Sequence, residues 1–147
     1  MGIESSFTGF ETSVAGMLAE RRRMDVISSN IANADTIGPD GPYVRKAVLF
    51  EEILGNEFEA AGSAVDSAGR GVAVTNVVED TVTPHTRVFM PEHPFADEQG
   101  FVRRPNVDLT FEMVDMAAAR NAYSMNLAAF RVFRQMARET IQNLRSS

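Results

Sequence analysis

Apolar residues recur with a seven-residue period over residues 3–31. The repeat fills one heptad position with Ile3, Phe10, Met17, Met24 and Ile31, and begins the alternate position with Phe7 and Val14. This 3-4 spacing is the seam of a coiled coil and predicts one helix ~43 Å long, at ~1.5 Å per residue. Gly9 and Gly16 each weaken that helix by ~1 kcal/mol relative to alanine, so it needs a partner face.

A second heptad pattern covers residues 109–144 and predicts another long helix. Its seam consists of Leu109, Met116, Tyr123, Phe130, Ala137 and Leu144 on one position, and of Met113, Leu127 and Ile141 on the other. Pro105 stops any earlier helix, and either Asn106 or Asp108 can cap the new one. Beside the seam runs a further apolar stripe of Phe111, Val114, Val132, Phe133 and Met136. One partner helix cannot cover both stripes, and this excess apolar surface indicates assembly.

The middle of the chain has a different composition. Residues 36–105 contain all six prolines and seven of the ten glycines. Alternating patterns predict strands at residues 43–50, 71–78 and 86–90, a short helix at 51–61 and a loop at 62–71. The predicted fold is mainly α with a small β insert (α+β), in which the terminal helices pair as an antiparallel coiled-coil hairpin. The expected divisions are residues 1–36, 37–105 and 106–147, with the two helical ends forming one coiled-coil domain.

Charge and composition exclude several classes of function. The net charge is −6, and residues 36–105 carry eleven acids against six bases. An acidic middle argues against nucleic-acid binding, which needs clustered Lys and Arg. The chain has no cysteine, so disulfides and thiolate chemistry are excluded. We expect no cleaved signal peptide, because the N-terminus lacks a basic region and an apolar core, and no segment long enough to insert into a membrane.

Small residues and amides cluster where the first helix ends. Residues 29–36 read SNIANADT, and their asparagines can cap backbone carbonyls or bridge to a neighbouring chain. This segment resembles the SNIANANT signature of the flagellar rod/hook axial protein family, with Asp35 in place of the more usual Asn. The family continues Pro-Gly-Tyr, whereas this chain has an insertion at residues 37–42 before Tyr43.

A second block narrows the resemblance within that family. Residues 92–102 are similar to the HPDADENGYV stretch of a proximal rod protein, although Phe95 stands where Asp is usual. Residues 105–109 (PNVDL), 112–116 (EMVDM) and 119–123 (ARNAY) with Asn126 resemble its PNVD, EMVDM and ASRAYxxN runs. The resemblance covers roughly residues 5–50 and 85–145, with both ends in the family's order.

The resemblance implies a structural subunit of the flagellar basal-body proximal rod, which assembles helically, transmits torque and lines the export channel. Its implied partners are further copies of itself, the rod proteins FliE, FlgB, FlgF and FlgG, and the flagellar type III export apparatus. The implied location is the rod that spans the periplasm, reached without signal cleavage.

The predicted subunit interface follows the two seams and the amide-rich motif. It consists of Phe7, Phe10, Val14, Met17, Met24, Asn30, Ile31, Asn33, Met113, Met116, Arg120, Tyr123, Asn126, Leu127 and Phe130. Arg120 interrupts the second seam, and we expect an acidic partner for it on a neighbouring helix. Arg21 interrupts the first seam, but its neighbours Arg22 and Arg23 favour a solvated basic cluster instead.

Three alternatives remain open on the sequence. The first is the sibling proximal rod protein FlgB, which ranks second because it usually lacks the block at residues 92–109. The second is a non-flagellar coiled-coil adaptor or binding module. An enzyme would place its active site in the middle region, where His85, His93 and Asp97 are the available residues. Their spacing fits no metal-ligand template, and no nucleophile or phosphate-loop motif is present. We therefore predict no catalytic residue, no metal and no cofactor.

Overall fold

The computed structural model describes residues 3–54 and 70–145, and the side chains of residues 9–51 and 72–145. It shows a mixed α+β fold, as predicted. The elements in chain order are α1 (Ile3–Ala32), β1 (Ile37–Gly38), β2 (Gly41–Pro42), β3 (Lys46–Leu54), β4 (Arg70–Glu79), β5 (Arg87–Phe89), β6 (Phe101–Arg103) and α2 (Leu109–Arg145). Each helix ends one residue later than the heptad pattern predicts, at Ala32 and at Arg145.

The two helices pack against each other in opposite directions. The Phe10 and Phe130 rings lie 4.5 Å apart between centroids, Gly16 faces Asn126, and Arg23 pairs with Asp115. As the residue number increases along α1, the number of the residue it contacts on α2 decreases, so the two helices are antiparallel. Ala19 and Ala119 are buried in the structure.

Glycine allows the helices to approach closely at two heptad-spaced positions. A Cβ at Gly9 would lie 2.4 Å from Cζ of Phe133, and one at Gly16 would lie 2.7 Å from Nδ2 of Asn126. Any larger residue would have to displace these side chains. The local cost of both glycines in the helix is thus offset by packing against α2.

Gly9→Ala should destabilise the protein, although alanine favours a helix by ~1 kcal/mol over glycine. Three atoms of the Phe133 ring lie within 2.9 Å of the new Cβ, and overpacking typically costs about 1–3 kcal/mol. Urea unfolding measures the change. Gly9→Ala with Phe133→Leu should recover stability, whereas a single variant more stable than the parent would contradict this packing.

The middle region forms three separate two-stranded antiparallel sheets within the described residues, β1–β2, β3–β4 and β5–β6. The longest is the ribbon of β3 and β4, whose register runs from Lys46↔Glu79 to Leu54↔Arg70 with an irregularity between Leu49 and Phe50. The ribbon packs on α1. Cross-strand pairing and contact with a helix give such a ribbon the support that a lone hairpin lacks.

Several predicted elements of the middle region need correction. Residues 51–54 belong to β3 and not to a helix, because pairing with β4 overrides local helix preference. Residues 70 and 71, predicted as the end of a loop, begin β4. The remainder of the predicted helix and loop, residues 55–69, lies outside the described residues. The strands predicted at 43–50, 71–78 and 86–90 begin at residues 46, 70 and 87.

Two hairpins were absent from the prediction. The insertion at residues 37–42 forms β1 and β2, and Gly41, the first residue of β2, takes a φ of 120° directly after the turn. β6 pairs with β5 after a turn in which Gly100 has a φ of 77°, and a Cβ at Gly100 would lie 2.9 Å from the Phe89 ring and 3.2 Å from Pro91. Such left-handed φ values favour glycine.

The buried core of the described residues is small and partly polar. Its apolar members are Ala19, Val26, Ile27, Val102 and Ala119, while Ser13, Asn30, Asn106 and Glu112 are the buried polar residues. Among the helices described, none has a stretch long and apolar enough to cross a bilayer. A core this polar requires hydrogen-bond partners for each buried group.

Candidate functional site: a polar junction and an outer helix face

A network of side chains, here called the polar junction, joins the two chain ends to the middle region. It consists of Asn30, Tyr43, Arg45, Asn106 and Glu112. Asn30, at the end of α1, is fully buried. Its amide nitrogen donates to the Lys46 carbonyl oxygen at 2.8 Å and to Glu112 Oε2 at 3.1 Å. Its Oδ1 accepts from the Tyr43 hydroxyl at 3.0 Å and the Lys46 N–H at 2.9 Å. All four hydrogen-bonding positions of the amide are therefore filled within the chain.

Glu112 brings a carboxylate into the junction from the first turn of α2. Its side chain is fully buried, and its Oε1 accepts from Arg45 Nε at 2.7 Å. The same guanidinium lies 3.7 Å from Asp115, which also faces Arg23 at 3.5 Å. A buried charge is tolerated only when it is paired and hydrogen-bonded. Glu112 meets both conditions because Asn30 from α1 and Arg45, the residue before β3, both bond to it.

Asn106 fixes the loops around the junction. Its Oδ1 accepts from the Arg45 backbone N–H at 2.8 Å, and its amide nitrogen donates to the carbonyls of Asp80 at 2.8 Å and Thr83 at 3.1 Å. Asp108, and not Asn106, caps α2, because Asp108 Oδ1 accepts from the backbone of Thr110 at 2.8 Å. The structure thus decides between the two cap candidates and assigns Asn106 a tertiary role.

The junction explains the chemistry of the amide-rich motif. Asn33 caps the end of α1 by donating to the Ser29 carbonyl at 2.8 Å, as the sequence allows. Asn30 instead forms tertiary bonds across 82 positions of sequence to Glu112. In the sequence Glu112 stood out only as the first residue of the EMVDM run, and Arg45 was not singled out. The available signal for an ion pair was an acid in the first turn of α2 together with the basic pair Arg45-Lys46 earlier in the chain.

The structure places most predicted interface residues along the flanks of the packed helices. Asn30 is buried, Arg120 is exposed, and Met113 is 61% exposed. The side chain of Phe7 lies outside the described side chains. The half-buried members are Phe10, Val14, Met17, Met24, Ile31, Asn33, Met116, Tyr123, Asn126, Leu127 and Phe130.

A second apolar face of α2 is open to solvent. We call it the outer stripe, and it consists of Phe111, Val114, Met125, Val132 and Met136, which are 40–74% exposed. At ~100° per residue these positions fall within an arc of about 60° on the helix. Phe133, assigned to this stripe from the sequence, turns inward onto Gly9, and Met125 belongs to it instead.

Polar residues of the β5–β6 hairpin have structural partners. Asp97 Oδ1 accepts from the Phe101 N–H at 2.8 Å and the Gln99 N–H at 3.0 Å, while Oδ2 accepts from Arg87 at 2.6 Å. His85 bonds the Arg104 carbonyl at 2.9 Å, and His93 accepts from the Phe95 N–H at 3.2 Å. Among the described residues no group of three or more acids and histidines is placed to hold a metal ion.

The hairpin should loosen in acid because of Asp97. The hydrogen bond from the Phe101 amide, with those from Arg87 and the Gln99 amide, holds the pKa of Asp97 below its usual value of 3.8. Its contribution to stability is therefore present above about pH 4 and is lost as the pH falls through the depressed pKa. The amide chemical shift of Phe101, followed by NMR from pH 6 to 2, should titrate with a midpoint below 3.8. Asp97→Asn should abolish the titration and Glu98→Gln should leave it intact; a midpoint above 3.8 would contradict the geometry.

Comparisons with known proteins place the chain in a family. A model described as flagella basal body rod protein matches residues 10–39, and one described as flagellar basal body rod FlgEFG protein C-terminal matches residues 98–143. The flagellar basal-body rod protein FlgC of Bacillus subtilis is 33% identical, over 94% of this chain and 97% of its own length. FlgC of Salmonella typhimurium is 34% identical over 90% and 92%, and FlgC of Aquifex aeolicus is 34% identical over 92% and 95%. The chain belongs to the FlgC family.

FlgC relatives are flagellar basal-body rod proteins, so this chain is a structural subunit of the flagellar basal-body rod. The FlgC match also gives the junction a context. Asn30 lies within the segment that the first rod model matches, and Asn106 and Glu112 lie within the second. Asn30 joins the two matched segments directly through its bond to Glu112, and Arg45, which lies between them, bonds Asn106 and Glu112 of the second.

Proposed function

We propose that this rod subunit assembles helically through its terminal helices, with the outer stripe of α2 covered by neighbouring subunits. The observation that carries the proposal is the row of large apolar side chains, Phe111 to Met136, left exposed on a helix whose other face is already packed. Contiguous exposed apolar surface of this kind marks an interaction site. A neighbour that covers it with a different surface generates an open helical assembly and not a closed dimer.

We further propose that the two helices pair as an antiparallel coiled-coil hairpin. The heptad pattern supports this arrangement, as do the contacts between Phe10 and Phe130 and between Gly16 and Asn126. Residues 1–36 and 106–147 would then form one helical domain, with residues 37–105 as the insert. A stiff paired rod of this kind suits a part that transmits torque.

In the proposed interface the predicted residues have two different roles. Met113, Arg120 and the less buried flanks of the seams contact neighbouring subunits directly. Asn30 acts inside its own subunit, because its hydrogen-bonding groups are already filled there. It holds the end of α1 against β3 and α2, and so fixes the angle at which the middle region leaves the helices.

The proposed setting follows the family resemblance. The neighbours are further copies of this chain and the rod proteins FliE, FlgB, FlgF and FlgG, in a rod that spans the periplasm and encloses the export channel. The type III export apparatus delivers the subunit without signal cleavage. We propose no catalytic role, because His85, His93 and Asp97 each serve the local backbone.

Electron microscopy of basal bodies from a strain that lacks this protein tests the proposed function. We expect basal bodies with an intact membrane ring and no rod, and rods restored by the full-length chain. A chain that ends at residue 127 loses Val132 and Met136 of the outer stripe and should not restore rods. A complete rod in the strain without the protein would overturn the proposal.

A further inference from the structure

A row of five arginines lies at one edge of the packed face of α2, at the same angular positions as the seam residues Met113 and Leu127. We call it the arginine stripe, and it consists of Arg120, Arg131, Arg134, Arg138 and Arg145, all of which are exposed. At ~100° per residue they fall within an arc of about 60°, and they extend over ~37 Å of helix. The outer stripe lies about 160° away around the helix axis, so the two faces are distinct.

The arginine stripe has no acidic partner within the described part of the chain. Elsewhere Arg23, Arg45, Arg87 and Arg104 each pair with an acid of their own chain, namely Asp115, Glu112, Asp97 and Asp35. Within residues 116–145 Glu139 is the single acid, and it accepts from Gln135 at 2.7 Å. Arg131, Arg134 and Arg138 follow one another at spacings of three and four, where like charges repel.

The middle region carries the complementary charge. Residues 36–105 hold eleven acids against six bases. Glu79, Glu92 and Glu98 are exposed there, and none of them has an ion-pair partner among the described residues. Their positions leave these three carboxylates open to a cation on another molecule.

Glu79 is out of reach of the distal arginines of its own chain. Glu79 pairs in register with Lys46, whose backbone bonds Asn30, so Glu79 lies level with the polar junction. Arg131 lies nineteen residues beyond Glu112 along α2, which is ~28 Å from the junction. Direct ion pairs form within about 4 Å. An ion pair between Glu79 and Arg131 or the arginines beyond it can therefore form only between molecules.

We propose that the arginine stripe of one copy docks against the acidic middle region of a second copy, through Glu79, Glu92 and Glu98. The inference rests on the proposed rod assembly and names one of its contacts. Electrostatic complementarity of this kind fixes register and partner choice more than it adds affinity. It complements the outer stripe, whose apolar contacts supply the affinity.

Charge reversal tests the contact in living cells. Arg131→Glu, Arg134→Glu and Arg138→Glu together should abolish swimming, while circular dichroism of the purified variant shows unchanged helicity. Adding Glu79→Arg, Glu92→Arg and Glu98→Arg to the same chain should restore swimming. Wild-type swimming by the first variant would overturn the proposal, and so would failure of the folded combined variant to swim.

Cross-linking separates this proposal from the proposed function. The chain has no cysteine, so Arg134→Cys with Glu98→Cys introduces one defined pair. Oxidised basal bodies should contain covalent multimers for the double variant and none for either single variant. Arg134→Cys should also be combined in turn with Glu79→Cys and with Glu92→Cys. If none of the three double variants forms multimers in basal bodies that contain the protein and a rod, the docking is refuted and the rod function stands.

Discussion

Replacing Glu112 by alanine is expected to lower the free energy of unfolding by about 3–5 kcal/mol. The substitution leaves the Arg45 guanidinium without its 2.7 Å partner and removes an acceptor from the buried Asn30 amide. Arg45, whose side chain is 26% exposed, then keeps only the longer 3.7 Å contact with Asp115, so its charge loses its strongest compensation while the Asn30 amide loses a buried acceptor. Small domains have a total stability of only about 5–15 kcal/mol, so this loss is a large share of the whole.

Urea unfolding followed by circular dichroism measures the effect, and two variants control for it. Glu112→Gln keeps the shape and one acceptor oxygen but removes the charge, so its loss should be smaller than that of Glu112→Ala. Glu139→Ala removes a carboxylate of the same helix that accepts from Gln135 on the exposed surface, and should change stability by less than about 0.5 kcal/mol. A loss below about 1 kcal/mol for Glu112→Ala would show that the polar junction does not stabilise the fold.

The helices of this protein could be predicted from the sequence because their signal is local and repeated. Apolar residues return every seven positions through Ile31 in α1 and through Leu144 in α2, and each return points to the same face. The open face of α2 followed by the same reasoning, since one partner cannot cover two stripes. The assignment of Phe133 to this face failed, because its direction depends on the missing side chain of Gly9, and Met125 was left out of the face.

The junction could not be predicted because its members are brought together by the whole fold. Asn30 and Glu112 are 82 positions apart, and Asn106 bonds the backbone of Arg45 across 61 positions. Taken alone, Asn106 before a helix fits a cap and Glu112 in a first turn fits a dipole effect. A buried position changes both roles, and burial of a polar residue is not visible in a local pattern.

The prediction of the strands in the middle region was partly wrong for a related reason. Residues 51–54 read as a helix in isolation, yet they pair with residues 70–73 across a segment of sequence that carries no strand signal. Strand preference reflects packing against neighbours more than the residue itself. The short strand β6 was not predicted for the same reason, since its three residues form a strand by pairing with β5.

Met125→Glu is expected to abolish swimming without unfolding the subunit. Met125 is 74% exposed and lies at the centre of the outer stripe, so the isolated chain loses little when it changes. In an assembled rod the same position would be covered, and a carboxylate buried there without a partner would cost about 2 kcal/mol or more. That cost weakens each contact roughly 30-fold, and it recurs at every copy of the subunit.

Ser124→Glu is the matched control, because it adds the same charge to the next residue of α2, which is also exposed but lies on another face. Both variants should have the helicity and urea midpoint of the parent. Light scattering should show that the parent associates as its concentration rises, that Ser124→Glu does the same, and that Met125→Glu stays monomeric. Swimming should follow the same order. If Met125→Glu swims like Ser124→Glu, the outer stripe is not covered in the rod. If light scattering shows that the parent forms a dimer whose size does not change with concentration, a closed adaptor is favoured, since an open helical assembly has no such limit on size.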